Sequence, residues 1–233
     1  MVRAALWRDR SHAGRALAQQ LSGWSHKPNA LVVGLPRGGI VVAAEIARQL
    51  QLPLASWAVR KLAHPQAPEL ALGAIAPEGV QIWDEASTRA YRLDAPLRQL
   101  IVAEQRRELE RRQRLYGDPP AAALRNRPLL VVDDGVATGL TVRAALQSLR
   151  MNQPSRLVLA VPVIDQRIAK ALRPQLDGLM ALAEVEDLWA VGAWYERFEP
   201  VSDQEVLRLI ARCNGDRANS GATPPPRETA DQP

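Results

Sequence analysis

Two adjacent acids, Asp133 and Asp134, follow four apolar residues, Leu129 to Val132, and lead into the run Gly135-Val136-Ala137-Thr138-Gly139-Leu140-Thr141. Paired carboxylates can accept hydrogen bonds from sugar hydroxyls, directly or through a divalent cation. Gly135, Ala137 and Gly139 permit a tight turn with exposed backbone N–H groups. Thr138 and Thr141 add hydroxyl donors just where a helix should begin, since Val142, Ala145, Leu146 and Leu149 recur at 3/4 spacing. Such a turn is an anion site. A phosphate cannot sit on carboxylates without repulsion, so the natural joint ligand is a phosphorylated sugar, its phosphate on the N–H groups and its hydroxyls on the acids.

Two further groups fit that chemistry. The turn Pro36-Arg37-Gly38-Gly39 stands between apolar Leu31 to Val33 and a helical face of Val42, Ala43, Ile46, Ala47 and Leu50. Its glycines let backbone approach an anion closely, and Arg37 carries a permanent charge. An ordinary strand-to-helix turn has the same pattern. The second group, Arg60 and Lys61, follows an expected strand over Leu54 to Val59 and opens a loop, Ala63 to Gly79, marked by Pro65, Pro68, Gly73 and Pro77. Two cations facing two anion sites would neutralise a diphosphate, although a solvated Arg-Lys pair beside a surface loop reads the same way.

The elements that must hold these groups alternate strand and helix. Leu129 to Val132 is apolar at every position, as a strand of a parallel sheet covered on both faces should be. Leu157 to Val163 and Leu179 to Ala183 supply further strands, and Asp203 to Arg212 a last helix. Ser11 is expected to cap an amino-terminal helix through Leu21. Ala95 to Tyr116 reads as a long, mixed-charge, solvated helix, or else an extra hood or dimer element, with Glu104 to Arg107 and Glu108 to Arg112 at pairing distance. The expectation is one α/β domain over residues 1–212 with a doubly wound, mainly parallel sheet, and a disordered tail over 213–233.

Composition excludes several classes. A single cysteine, Cys213, rules out an internal disulfide, and the three histidines have no metal-cage spacing. Any metal should therefore be Mg²⁺ held by oxygens and substrate. No stretch approaches the ~18–20 apolar residues of a membrane span, and Arg3, Arg8, Asp9 and Arg10 leave no signal-peptide core, so a cytoplasmic location is expected. The net charge of +5 suits a polyanionic substrate and does not by itself identify one. No helix-turn-helix, zinc or RNA-module pattern is present, so specific nucleic-acid binding is not expected.

Leu129 to Thr141 resembles the 5-phosphoribosyl 1-diphosphate (PRPP) signature of the type I phosphoribosyltransferases. A strand ending in two acids is shared with response-regulator receivers and many hydrolases, and the Ala-Thr-Gly-Leu-Thr continuation is what favours the transferases. The Arg-Gly-Gly turn is similar to their pyrophosphate loop, and the basic residues after it to the start of a mobile lid. Over roughly Leu6 to Leu209 the chain is similar to a group of stand-alone phosphoribosyltransferases with PRGG, VRK, DDGxATG and VGxWYxxF blocks.

The resemblance implies a sheet of the type I kind with a small hood and a lid loop. It further implies PRPP and Mg²⁺ as ligands, a small-molecule acceptor, and no membrane partner; it allows a homodimer. It places Asp133, Asp134, Arg37, Arg60 and Lys61 in the catalytic site. Pro36, Gly38, Gly39, Gly135, Val136, Ala137, Thr138, Gly139, Thr141 and Trp189 become substrate contacts, and Glu196 a metal ligand beside Asp133 and Asp134. Trp189 would stack the acceptor base, whereas Trp189, Trp194, Tyr195 and Phe198 could equally be core or a dimer surface.

Two departures narrow the acceptor. Where 6-oxopurine enzymes usually carry an aspartate for the base N7 proton, this chain has Ala137. After Val163 come Ile164 and Asp165, without the lysine that reads the 6-oxo group. Guanine and hypoxanthine are thus disfavoured. A PRPP- or nucleotide-binding regulator, or a hydrolase of phosphorylated sugars, remains an alternative to transfer.

Overall fold

The computed structural model describes residues 5–220. The chain runs α1 (Arg10–Gln20), β1 (Leu31–Gly34), α2 (Gly38–Leu50), β2 (Leu54–Ser56), β3 (Arg60–His64), β4 (Ala67–Ile75), β5 (Gln81–Trp83), α3 (Glu85–Ala90) and α4 (Ala95–Tyr116). It continues through α5 (Ala121–Leu124), β6 (Pro128–Val132), α6 (Leu140–Met151), β7 (Arg156–Asp165), α7 (Gln166–Leu172), β8 (Gly178–Val185) and α8 (Asp203–Ser220).

Five parallel strands form the main sheet in the order β2-β1-β6-β7-β8. Helices cover both faces, which is why its central strands are apolar at every position. Leu31, Val33, Leu129 and Val131 pack with Val142, Ala145, Leu146 and Leu149 of α6 on one side. Val32, Leu130 and Val132 point the other way, onto Leu17 and Leu21 and onto Val42, Ile46 and Leu50 of α2. Each such side chain, fully buried, contributes about 1.5–3 kcal/mol.

The expected lid loop is mostly strand. β3, β4 and β5 form an antiparallel sheet, with Lys61 opposite Ala74 and Gly73 opposite Trp83. Prolines and Gly73 suggest a loop, but a β-carbon at Gly73 would press on the Ile82 carbonyl and the Trp83 ring, so glycine there is a packing requirement within a strand. Pro65 and Gln66 make the connection between β3 and β4.

α4 roofs this sheet. Ile101, Val102 and Leu109 pack on Leu62, Leu72 and Ile75, so one face is buried, and the helix follows the hood alternative and not the solvated reading. Of the pairings expected along it, Glu108–Arg112 forms at 2.8 Å, joined by Arg111 at 2.7 Å.

Other boundaries shift for identifiable reasons. Asp9, not Ser11, caps α1, accepting the His12 N–H at 2.8 Å. The strand expected to reach Val59 ends at Ser56, because Asp118, just past α4, takes the Ala58 N–H at 2.7 Å and the Ser56 hydroxyl. That carboxylate aims the chain from the main sheet toward Arg60 and Lys61. The last helix continues past Arg212 to Ser220: Cys213 is buried, and the Asn214 side chain bonds both backbone groups of Leu54 at 3.0 and 3.1 Å. The expected tail from 213 is therefore helical through 220, and residues 221–233 lie outside the described residues. Among the described residues no helix is long and apolar enough to cross a membrane.

Burial pushes the Asp118 carboxyl up to about 6 from 3.8, against the bonds it accepts from Ser56 and Ala58. Between those values the folded form keeps a proton that the unfolded chain has lost, so this group's stabilising contribution is full below 3.8 and declines as pH rises to about 6. Asp118→Asn should remove that slope. Denaturant titrations of both proteins at about pH 4, 5, 6 and 7 test it, and curves that stay parallel across the window would show that Asp118 does not titrate there.

Candidate functional site

β1 and β6 are neighbours in register, Gly34 beside Val132, so the turns that leave them lie side by side at the carboxyl ends of the strands. The Leu35 N–H donates to the Val132 carbonyl at 2.9 Å, and only then does the chain turn through Pro36-Arg37, a cis peptide, into α2. Gly38 and Gly39 meet the acids directly. A β-carbon at Gly38 would overlap the Asp134 carboxylate, and one at Gly39 would lie 2.9 Å from Asp133 Cα and from the Val132 carbonyl oxygen. Their smallness is required first by the diacid.

The diacid is held from several sides. Asp133 Oδ1 accepts the Asp134 N–H at 2.9 Å. Asp134 Oδ2 accepts Arg10 Nε at 2.7 Å, both side chains largely shielded. The Tyr195 hydroxyl donates to the Asp134 carbonyl at 2.6 Å. Burial, then the Asp134 charge, pushes Tyr195 well above the usual phenol range, so it stays a donor. Burial and the neighbouring Asp134 charge push Asp133 well above the carboxylate range, while Lys61 acts in the opposite direction. A site in that state favours a cation.

The second turn is stitched to β7: the Val136 N–H donates to the Val163 carbonyl and the Asp165 N–H to the Val136 carbonyl, both at 2.9 Å. Gly139, at φ 72°, stands at the N-cap of α6 with no side-chain cap, and Thr138 and Thr141 flank it. A helix start without an internal cap offers its first N–H groups to an anion. Ala137 packs against an apolar cluster of Trp7, Ala13, Val163 and Leu188.

The cations arrive from the antiparallel sheet and its roof. Arg60 is anchored to Gln105 Oε1 through Nε at 3.0 Å and Nη2 at 2.7 Å. Arg37 lies 3.8 Å from Asp203, which also receives the Tyr116 hydroxyl at 2.6 Å and Arg111 at 2.9 Å.

The carboxyl-terminal segment divides. Trp194 and Tyr195 are buried, and Tyr195 stacks on Phe198 at 5.0 Å between ring centroids and lies 5.6 Å from Trp7, so these aromatics are core. Trp189 is 92% exposed, presenting its face outward. Asp165 supports that segment: it caps α7 and accepts the Leu188 N–H at 3.2 Å. Glu196 is exposed, and its N–H donates to the Trp7 carbonyl. Among the described residues no group of three or more His, Cys, Asp or Glu side chains could hold a metal, so Glu196 is not gathered into a cage with the diacid.

Sequence reasoning missed Arg10, the hydroxyl of Tyr195, and Asp118. No spacing rule connects Arg10 to an acid 124 positions away. The only signal was three alternating charges, Arg8-Asp9-Arg10, at a helix start.

Residues 7–177 match the phosphoribosyl transferase domain family. A Mycobacterium tuberculosis (strain ATCC 25618 / H37Rv) protein, whose name provisionally assigns it to the phosphoribosyl transferases, is 40% identical over 218 residues. The match covers 93% of this chain and 49% of that protein, so the chain spans about half of that relative's length. The crystal structure of TT1426 from Thermus thermophilus is 38% identical, with a TM-score of 0.67, and the likeness covers 88% of this chain and 98% of that one.

The contact between Gly38 and the diacid yields a direct test. Gly38→Ala should destabilise the fold by about 1–3 kcal/mol, the usual effect of forcing atoms into packed space. Gly23, whose β-carbon would meet nothing within 4 Å, serves as the control; Gly23→Ala should stay within about 0.5 kcal/mol. Equal denaturation midpoints for the two variants would remove the argument.

Proposed function

The chain belongs to the phosphoribosyl transferase family of enzymes, and on that premise we propose that it transfers the ribose 5-phosphate group of PRPP to a nitrogenous acceptor, releasing pyrophosphate. One observation carries this reading: an uncapped helix start, a diacid and a second glycine turn lie together at two neighbouring strand ends, with basic residues opposite. That matches a ligand with a 5-phosphate, a diol and a diphosphate in sequence.

In this reading the turn from Gly135 to Thr141, with Val136 bonded to β7 and Ala137 packed beside it, grips the 5-phosphate. Asp133 and Asp134 accept the ribose hydroxyls. The turn Pro36-Arg37-Gly38-Gly39, with Arg60 and Lys61, receives the pyrophosphate. The C1–O bond to pyrophosphate breaks with its electron pair on the leaving oxygen, and the acceptor nitrogen forms the new C1–N bond. The transition state is oxocarbenium-like, so the protein's contribution is orientation, charge stabilisation of the leaving anion and exclusion of water. No covalent protein intermediate is required.

Two adjacent carboxylates without a nitrogen or sulfur cage among the described residues suit Mg²⁺, which completes its shell with water and substrate oxygens. Held by Asp133 and Asp134, it would supply positive charge to the diphosphate. Glu196 is left as an outer contact through water at most.

The acceptor side rests on Trp189, whose exposed face suits a flat heterocycle. Ala137 faces apolar neighbours and Asp165 is committed to backbone N–H groups, so neither handles an acceptor proton. Adenine or a pyrimidine therefore ranks above guanine and hypoxanthine.

Pyrophosphate release from PRPP and Mg²⁺ across a panel of nucleobases is the deciding experiment. Turnover with adenine or a pyrimidine supports the reading, efficient use of guanine or hypoxanthine refutes the acceptor assignment, and PRPP binding without turnover on any base identifies a regulator instead. Asp134→Asn should weaken PRPP at least tenfold, about 1.4 kcal/mol, in isothermal titration. Unchanged affinity in the Asp133→Asn, Asp134→Asn double variant would make the pair structural. Trp189→Ala should weaken the acceptor by ~1–3 kcal/mol, the range for base stacking, and leave PRPP binding nearly unchanged.

A further inference from the structure

We infer that Arg10 is the positioning residue of the ribose site, holding Asp134 in the orientation that a sugar diol requires; the inference rests on the ribose-binding reading of the diacid. Arg10 is the first residue of α1, yet its guanidinium reaches three partners far along the chain. Nε donates to Asp134 Oδ2 at 2.7 Å, Nη1 donates to the Glu199 carbonyl at 2.8 Å, and the guanidinium carbon lies 3.6 Å from the centroid of the Phe198 ring. Its side chain is 11% exposed. Three contacts fix the plane of the fork as well as its charge.

The geometry fixes one oxygen of Asp134. Oδ2 faces Arg10 and lies against Gly38, and the Asp134 carboxylate also meets the Asp133 carboxyl beside it. The Tyr195 hydroxyl fixes the backbone of the same residue. Asp134 is thus clamped at its carbonyl and at one carboxylate oxygen, which sets the orientation its carboxylate offers to a ligand hydroxyl. Arg10 also screens the repulsion between the two acids, which would otherwise turn Asp134 away from Asp133. Its Nε lies beside Gly38 of the pyrophosphate turn, but its hydrogen bonds go to Asp134 and Glu199 and to neither phosphate turn, so its loss should fall chiefly on ligands that carry the sugar.

The test is isothermal titration of the full chain, wild type and variants, with ribose 5-phosphate, PRPP and inorganic pyrophosphate in Mg²⁺ buffer. Arg10→Gln should lose about tenfold or more for ribose 5-phosphate and PRPP, as expected when a charge-assisted bond disappears, and stay within about twofold for pyrophosphate. Arg10→Lys keeps the charge but cannot serve Asp134, Glu199 and Phe198 together, so it should recover part of the loss, to about threefold below wild type. Should Arg10→Gln fail to fold, Arg10→Lys carries the same comparison. Wild-type affinity for ribose 5-phosphate in either folded variant overturns the inference, as does an equal loss for pyrophosphate, which would make Arg10 a general tether. Wild type that binds pyrophosphate but neither sugar ligand overturns the ribose reading itself, and the inference with it.

Discussion

Like charges repel, and Asp133 and Asp134 occupy consecutive positions at a partly buried strand end. Much of the surrounding structure offsets that repulsion. Arg10 pairs with one acid, Lys61 lowers the energy of the other, and Tyr195 fixes the backbone between the turn and the terminal segment. The glycines of the neighbouring turn keep the wall thin enough for both carboxylates to fit. Two carboxyl groups that would otherwise swing apart are thereby kept side by side, the arrangement in which they can share a diol or a cation.

The antiparallel sheet serves the same pair from the opposite side. Its first strand carries Arg60 and Lys61, and its roof, α4, supplies Gln105 to Arg60 and Tyr116 to the Asp203 cluster near Arg37. Asp118 joins this unit to the main sheet by ending β2. Arg60 is therefore carried on a packed element with its fork already held by Gln105, while Lys61 beside it on the same strand is exposed.

Short-range chemistry was legible in the sequence, and long-range chemistry was not. Leu129 to Val132 announced a doubly covered strand, Gly139 and the residues after it a helix start, and α4 was bounded correctly at Ala95 and Tyr116. Each of these is encoded within a few residues. The hairpin over Ala63 to Gly79 was misread because its prolines and Gly73 are turn formers in isolation, whereas Gly73 is set by the Ile82 and Trp83 it packs against. The burial of one α4 face was hidden by the many charges on the others. In the site, both acids and both turns were visible as motifs. Arg10 and Tyr195 were not, because a contact between residues 10 and 134, or 195 and 134, leaves no periodic trace.

The pairing of the two ends of the domain bears on how the molecule is made. The Trp7 region lies against Tyr195, with N–H groups of residues 6, 7, 196 and 197 bonded across the gap, and Arg10 reaches the Glu199 carbonyl 189 positions away. Closing so long a loop adds only modestly to the entropic cost, which grows with the logarithm of length, but it cannot occur until the later segment exists. During synthesis residues 1–165, which hold both turns and the main sheet through β7, are complete before that closure, and the Tyr195 part of the clamp on Asp134 comes last. A nascent or carboxyl-terminally shortened chain that stops before residue 195 would keep the Arg10–Asp134 pair but lack the Tyr195 hydroxyl on the Asp134 carbonyl and the Glu199 carbonyl and Phe198 ring that seat Arg10. Completion of the domain and completion of the clamp on Asp134 are in this fold a single event.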